Sequence, residues 1–202
     1  MTPIMRGISR VDIRINSYIP ITTAEGPNTR FCIWVQGCSL HCKGCANHAM
    51  WDKEGGTVYK VEELIDLIKS YKDKIEGITF LGGEPLEQIE AVTEISKAVQ
   101  DIGLSVVVFT GYKYSELTGM ETFKELTKYI DVLIDGRYEE EKQDFSRPWV
   151  GSSNQNYYFF SDKYDESIIT KYKNKIEVRI DKNNNISLNG MGNFKEVLEA
   201  MR

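Results

Sequence analysis

Apolar positions along this chain recur with two periods, and the switches between them mark out strands and helices. Val11, Ile13 and Ile15 alternate with Asp12, Arg14 and Asn16, the period of a strand with one buried face. A turn-rich stretch at 22–28 leads to residues 31–36, whose aromatic and β-branched side chains predict a second strand. After an irregular segment at 47–56, a helix is expected to begin near Val58, because Val61, Leu64, Ile65, Ile68 and Tyr71 fall on one stripe. Residues 77–81 form a short apolar strand, and Pro85 opens the next helix, where its missing N–H lies in the first turn. Ile89, Val92, Ile95, Val99 and Ile102 continue that helix, and Gly103 supplies a left-handed residue to close it. The run LSVVVF at 104–109 suits a parallel strand buried on both faces. Phe123, Leu126, Thr127 and Ile130 mark another helix, 132–134 a fourth buried strand and 157–160 a fifth. Residues 176–180 and 186–188, joined through a polar tip, read as a hairpin, and a short helix at 194–201 follows.

Strand, polar loop and helix repeat, which is the pattern of an α/β domain with a parallel sheet. Each strand in the repeat ends on a polar string, and in α/β barrels and open α/β sheets the sites lie at those C-terminal ends. A full eight-stranded barrel takes ~250 residues, more than the 202 here. The expected fold is therefore a partial (β/α) barrel of five or six strands, with a small C-terminal hairpin and helix. It forms a single domain over 1–202, with a core at about 10–160 and an appendage at about 161–202. Such a barrel is open on one side, where a loop of another protein can enter.

The chemistry concentrates where the strand at 31–36 ends. Cys38, Cys42 and Cys45 stand as C-x3-C-x2-C in the loop that follows. A structural zinc site wants four protein ligands, which His41 or His48 would have to complete. A four-iron cluster takes one cysteine per iron, so three cysteines would leave one iron open to a reactant. Cys32 alternates with Phe31 and Ile33 and reads as a buried structural thiol, and His41 and His48 as solvated loop residues.

Composition narrows the setting. The net charge of −5 and the absence of a Lys/Arg block argue against capture of nucleic acid or an anionic membrane. No apolar run approaches the ~20 residues that cross a bilayer, and the first residues show no cleavable leader, so the cytoplasm is expected. The four cysteines are crowded between 32 and 45, which suits adjacent metal ligands better than a disulfide framework.

The cysteine loop followed by Gly82-Gly83-Glu84-Pro85 resembles the radical S-adenosylmethionine enzymes. Further strings are similar to the activating enzymes of glycyl-radical proteins: Glu25-Gly26-Pro27 with Arg30, Gln36-Gly37-Cys38, Trp51-Asp52 and Thr110-Gly111-Tyr112. Asp135-Gly136-Arg137 and Gly151-Ser152-Ser153-Asn154-Gln155 point to the branch that activates anaerobic (class III) ribonucleotide reductase, and the resemblance covers roughly 10–160. It implies a [4Fe-4S] cluster on Cys38, Cys42 and Cys45, and S-adenosylmethionine held by Gly82, Gly83, Glu84, Pro85, Thr110, Gly111, Tyr112 and Asp135. Carbonyls of the glycine string would take the cofactor's ammonium group, and Glu84 would brace the loop. Trp51, Asp52 and Arg30 would be scaffold around the cysteines, and residues 151–155 would organise the substrate opening. The implied reaction splits the cofactor into methionine and a 5'-deoxyadenosyl radical. That radical takes a hydrogen atom from a glycine of the partner, either the anaerobic reductase or another glycyl-radical protein, with flavodoxin or ferredoxin supplying the electron. The alternatives are modification of a peptide or small molecule and, without catalysis, a zinc-binding interaction module. Gly44 stands where such enzymes carry an aromatic residue, so a packing contact to the adenine is in question. The acidic run at 139–144 reads as a solvated face.

Overall fold

The computed structural model describes residues 11–200, without the side chains of Lys195 and Ala200; the first ten residues, on which the expectation of no leader rests, and the last residue of the expected C-terminal helix lie outside that range. Strand β1 (Asp12–Thr22) runs into β2 (Arg30–Val35), and β3 (Thr57–Lys60) precedes α1 (Val61–Lys69). There follow β4 (Gly77–Gly82), α2 (Ile89–Gln100), β5 (Ser105–Phe109), α3 (Tyr114–Leu117), α4 (Glu121–Leu126) and β6 (Val132–Asp135). The remainder is β7 (Asn156–Phe159), α5 (Ser167–Lys171), the hairpin β8 (Ile176–Ile180) and β9 (Ile186–Gly190), and α6 (Phe194–Ala200).

One seven-stranded sheet carries the order β3-β1-β2-β4-β5-β6-β7, and β8-β9 forms a sheet of its own. Strands β2, β4, β5 and β6 are parallel neighbours, while β1 runs antiparallel to β2 and to β3, and β7 antiparallel to β6. The α/β class and the parallel centre agree with expectation. The strand count exceeds the expected five or six, because β3 occupies residues that the helical stripe assigns to the start of a helix. Val58 lies in that strand, and the helix starts at Val61.

Side chains alternate across a strand, so each one has two faces. Ile33, Phe80, Val108 and Leu133 lie in register across the four parallel strands. All four are fully buried, in one cluster with Leu64, Ile68, Val92, Ile95, Phe123 and Leu126 of the helices. Each such side chain contributes about 1.5–3 kcal/mol through burial. The neighbouring row, Cys32, Thr79, Val107 and Val132, points to the opposite face. There Val107, Val132 and Ile134 pack against Trp149, Val150 and Ile168, so the segment after β6 covers the side that the helices leave bare.

Arg30 is a scaffold residue, but not beside the cysteines. It is buried at the N-terminal end of β2, with its guanidinium donating to Thr79 Oγ1 (2.7 Å), the Pro27 carbonyl (3.1 Å), Ser105 Oγ (3.0 Å) and the Ile78 carbonyl. A buried cation without such acceptors would be strongly destabilising; here it locks β2, β4 and β5 together at the end opposite the cysteine loop.

Candidate functional site: a cysteine loop over a glycine turn

Leu81, Phe109 and Ile134 close the face opposite the helices at the C-terminal ends of their strands, and they line a pocket there. Cys38, Cys42 and Cys45 form its upper wall, and Gly82, Gly83, Glu84, Pro85, Thr110 and Gly111 join them. All three thiols are free and half-buried. Tyr112 and Asp135 are not among the lining residues. The Asp135 carboxylate is engaged in scaffold contacts, taking the N–H of Tyr114 (2.6 Å) and of Asn156 (3.2 Å). Tyr112 faces a separate surface depression beside Gly37 and Lys53.

The loop is fixed by the backbone. Gly37 N–H donates to the Met50 carbonyl (2.9 Å) and Cys38 N–H to that of Trp51 (3.2 Å), while Gly83 and Glu84 N–H groups donate to the carbonyls of Val35 (2.9 Å) and Gly37 (2.8 Å). The end of β2 is thereby stitched to the end of β4. The glycines have a reason that precedes any ligand. A Cβ on Gly83 would stand 2.3 Å from the Gly37 carbonyl oxygen, and Gly82 has φ +105° with the β2 backbone 2.7 Å from where its Cβ would be. Glu87 ties the loop to the same turn, accepting Ser39 N–H (2.7 Å) and pairing with Lys53 (3.0 Å). Burial raises the Glu87 carboxyl, but Ser39 and Lys53 outweigh it and hold it below its ordinary value.

Glu84 does brace the turn. It is buried, and its carboxylate takes Leu86 N–H (2.9 Å), Thr110 Oγ1 (2.8 Å) and Gly111 N–H (2.8 Å), joining the ends of β4 and β5. Burial pushes its carboxyl up to about 7 despite these three donors. Burial likewise raises the Cys38 thiol against the backbone N–H groups of Leu40 and His41, and the Cys42 thiol against that of Tyr138. Of residues 151–155, Gln155 alone is among the lining residues; it accepts Gly151 N–H (2.7 Å) and donates to the Gly136 carbonyl (2.9 Å).

Several lining residues were not singled out as site residues. Tyr138 lies against Gly44, whose added Cβ would meet its ring at 3.1 Å, and Met191 enters from the end of the hairpin. Glu25 and Trp51, which the sequence marks only as parts of strings, line it too. His41 and His48 are exposed, as expected of solvated residues, and their rings also pack on Trp51, each with centroids 4.5 Å away. Part of the acidic run meets the cysteine loop, through pairs of Lys43 with Glu140 and Glu141 at 3.2 Å.

The residues present fit an iron–sulfur cluster. A polynuclear cluster takes its thiolates on separate irons. Three free thiols on one pocket wall meet that need, and beside them Trp51 Nε1 is a buried donor without a hydrogen-bond partner among the described residues.

A family model described as a 4Fe-4S single cluster domain matches residues 24–158. The anaerobic ribonucleoside-triphosphate reductase-activating protein of Escherichia coli (strain K12) is 34% identical over 148 residues, covering 69% of this chain and 94% of that protein. The Haemophilus influenzae protein of that name is 33% identical, covering 68% and 92%, and the one from Enterobacteria phage T4 is 36% identical, covering 67% and 87%. Among solved structures, QueE from Escherichia coli overlaps 50% of this chain and 53% of its own at 18% identity and a TM-score of 0.42, too partial a likeness to argue from. Motif, pocket and relatives agree: the chain carries a 4Fe-4S single cluster domain and belongs to the family of anaerobic ribonucleoside-triphosphate reductase-activating proteins.

Proposed function

We propose that this protein is a radical S-adenosylmethionine activase that generates a glycyl radical on an anaerobic ribonucleotide reductase. The observation that carries the reading is the meeting of the three free thiols with the Gly82–Gly83–Glu84 turn in one pocket, in a chain of this family. When bound, a reduced [4Fe-4S] cluster supplies the electron that cleaves the sulfonium C–S bond of S-adenosylmethionine, and the 5'-deoxyadenosyl fragment takes a hydrogen atom from a glycine of the partner.

The chain's own residues bind, orient and exclude water. Cys38, Cys42 and Cys45 hold the cluster, and the carbonyls of the glycine turn accept the ammonium group of the cofactor. Glu84 acts at one remove, fixing the Thr110–Gly111 turn against the glycine turn. Leu81, Phe109 and Ile134 give the pocket an apolar base that keeps water from a reactive fragment. The sheet closes part of a barrel, and its open side admits the partner's loop. A flavodoxin or ferredoxin supplies the electron in the cytoplasm; no helix among the described residues is long and apolar enough to cross a membrane.

The test is anaerobic. After reconstitution with iron and sulfide and reduction, S-adenosylmethionine is added and 5'-deoxyadenosine is quantified, with and without the reductase. Formation that disappears in Cys38→Ala, together with a glycyl electron paramagnetic resonance signal on the reductase, is expected. A Cys38→Ala protein that still forms 5'-deoxyadenosine would sink the ligand assignment.

A further inference from the structure

The hairpin β8–β9 lies beyond residues 24–158, the part matched by the family model, yet it reaches the pocket. Its contacts are polar and specific. Glu177 accepts Thr22 Oγ1 (2.7 Å) and Thr23 N–H (2.7 Å), and Arg179 donates to the Ile21 carbonyl (2.8 Å). Asn189 is buried, with both ends of its amide used. Its Oδ1 accepts from Arg179 Nε (3.3 Å), and its Nδ2 donates to Thr22 Oγ1 (3.1 Å) and to Glu25 Oε1 (3.2 Å). Gly190, at φ +115°, lets the strand end seat closely: a Cβ there would stand 2.0 Å from the Lys175 carbonyl oxygen and 3.1 Å from Ala24 Cβ. The next residue, Met191, lines the pocket together with Glu25.

A hairpin that only covered the core would turn apolar side chains inward. This one aims a buried amide at a carboxyl that belongs to the site, and buried polar networks of this kind fix position at the expense of tolerance. The place matters as well. The Glu25 carbonyl accepts from Thr79 Oγ1 (2.8 Å), and Thr79 precedes Gly82 by three positions in β4. At ~3.3 Å per residue, Glu25 stands roughly 10 Å down the strand from the glycine turn. The Glu25–Met191 side is thus the end of the pocket farther from the glycine turn, the end open to a second reactant in the present reading.

We infer that the C-terminal hairpin, through Asn189 and Met191, forms the wall against which the partner's glycine-bearing segment is held, and so sets which partner is accepted. The inference rests on the activase reading and names the part of the site that grips its protein substrate. A glycine offers no side chain to hold, so its neighbours must be gripped by the walls around it. A thioether adapts its shape to such a surface, and Asn189 is a positioning residue that keeps Glu25 and the strand end in place behind it.

The test measures glycyl-radical yield against reductase concentration for the wild type, Asn189→Ala, Met191→Ala and the conservative Met191→Leu, alongside equilibrium binding of S-adenosylmethionine to the reconstituted proteins. The expected result is an apparent KM for the reductase raised about ten-fold in the two alanine variants, as for loss of a well-packed interface contact. Recovery in Met191→Leu and an unchanged cofactor dissociation constant complete it. A KM for the reductase that stays unchanged, or cofactor affinity that falls in parallel with it, overturns the inference, since a merely structural role would move both. A wild type that forms no radical at any reductase concentration fails the activase reading itself, which the variant comparison keeps separate.

Discussion

Glu84 and Gly111 meet across two strand ends, with the Gly111 N–H donating to Glu84 Oε2 at 2.8 Å while Oε1 takes Thr110 Oγ1 and Leu86 N–H. One buried carboxylate thus satisfies three donors in two turns. Replacing it leaves those donors without an acceptor, at about 1–3 kcal/mol for each group that water cannot reach. Glu84→Ala is expected to lower stability by about 3 kcal/mol and to abolish 5'-deoxyadenosine formation. Glu84→Gln, which keeps the shape and part of the acceptor set, is expected to lose roughly half as much. Denaturant titration of the cluster-free proteins reads the first effect, and the cofactor assay the second.

Glu25 makes stability fall as pH rises. Burial pushes its folded-state carboxyl up to about 7 from 4.5, against the Asn189 amide and the Gly190 N–H. Between those two values the folded state binds more protons than the unfolded, so stability is greatest below the window and is lost as pH climbs through it. From pH 5.5 to 8 the loss attributable to Glu25 is about 2 kcal/mol. Glu25→Gln should remove that share of the slope and leave the similar share due to Glu84, whose carboxyl burial also raises to about 7. Unfolding midpoints that change equally with pH in both proteins would refute the assignment.

Glycines of the site differ in what they tolerate. Gly83→Ala forces a Cβ onto the Gly37 carbonyl oxygen, a backbone atom that cannot swing away, whereas Gly111→Ala meets the tip of Leu40 at 2.4 Å, which can. Gly103 has nothing within 4 Å, and only its φ of +86° resists substitution. Gly83→Ala is expected to impair cofactor binding and folding together, and Gly111→Ala to cost much less. Gly103→Ala should cost about 1–2 kcal/mol with unchanged binding. Calorimetric melting and cofactor titration separate the three.

Four cysteines do two jobs. Cys32 is fully buried beside Thr79 in the sheet, and burial raises its thiol well above the ordinary value. Cys32→Ala should retain a full complement of iron and sulfide and lose about 1 kcal/mol to the small void left. Cys42→Ala should fail to hold the cluster at near wild-type stability. Iron and sulfide analysis after anaerobic reconstitution decides between these outcomes.

The parallel strands and the strings at their ends were legible because burial on both faces writes an unbroken apolar run, as in the VVV of β5. Strand β3 was not, since Thr57, Val58 and Lys60 are exposed at the edge of the sheet and carry no core signal. Strand direction was hidden as well: alternation in β1 and β7 fixes which side chains face inward, not which way the chain runs. Pro85 opens a 3-10 turn over Pro85–Gln88 before α2, because the Glu84 carboxylate caps that turn at Leu86. Asp135 is a cofactor candidate by its string alone, and the scaffold contacts of its carboxylate with Tyr114 and Asn156 are tertiary ones that no string records. Tyr138 and Met191 reach the pocket only through tertiary placement, which no local period records.

The cysteine loop is anchored by protein alone, through Gly37 to Met50, Cys38 to Trp51 and Ser39 to Glu87. None of these contacts asks for iron. A loop so anchored is expected to keep its shape when empty, so that filling it with iron and sulfide is a step apart from folding.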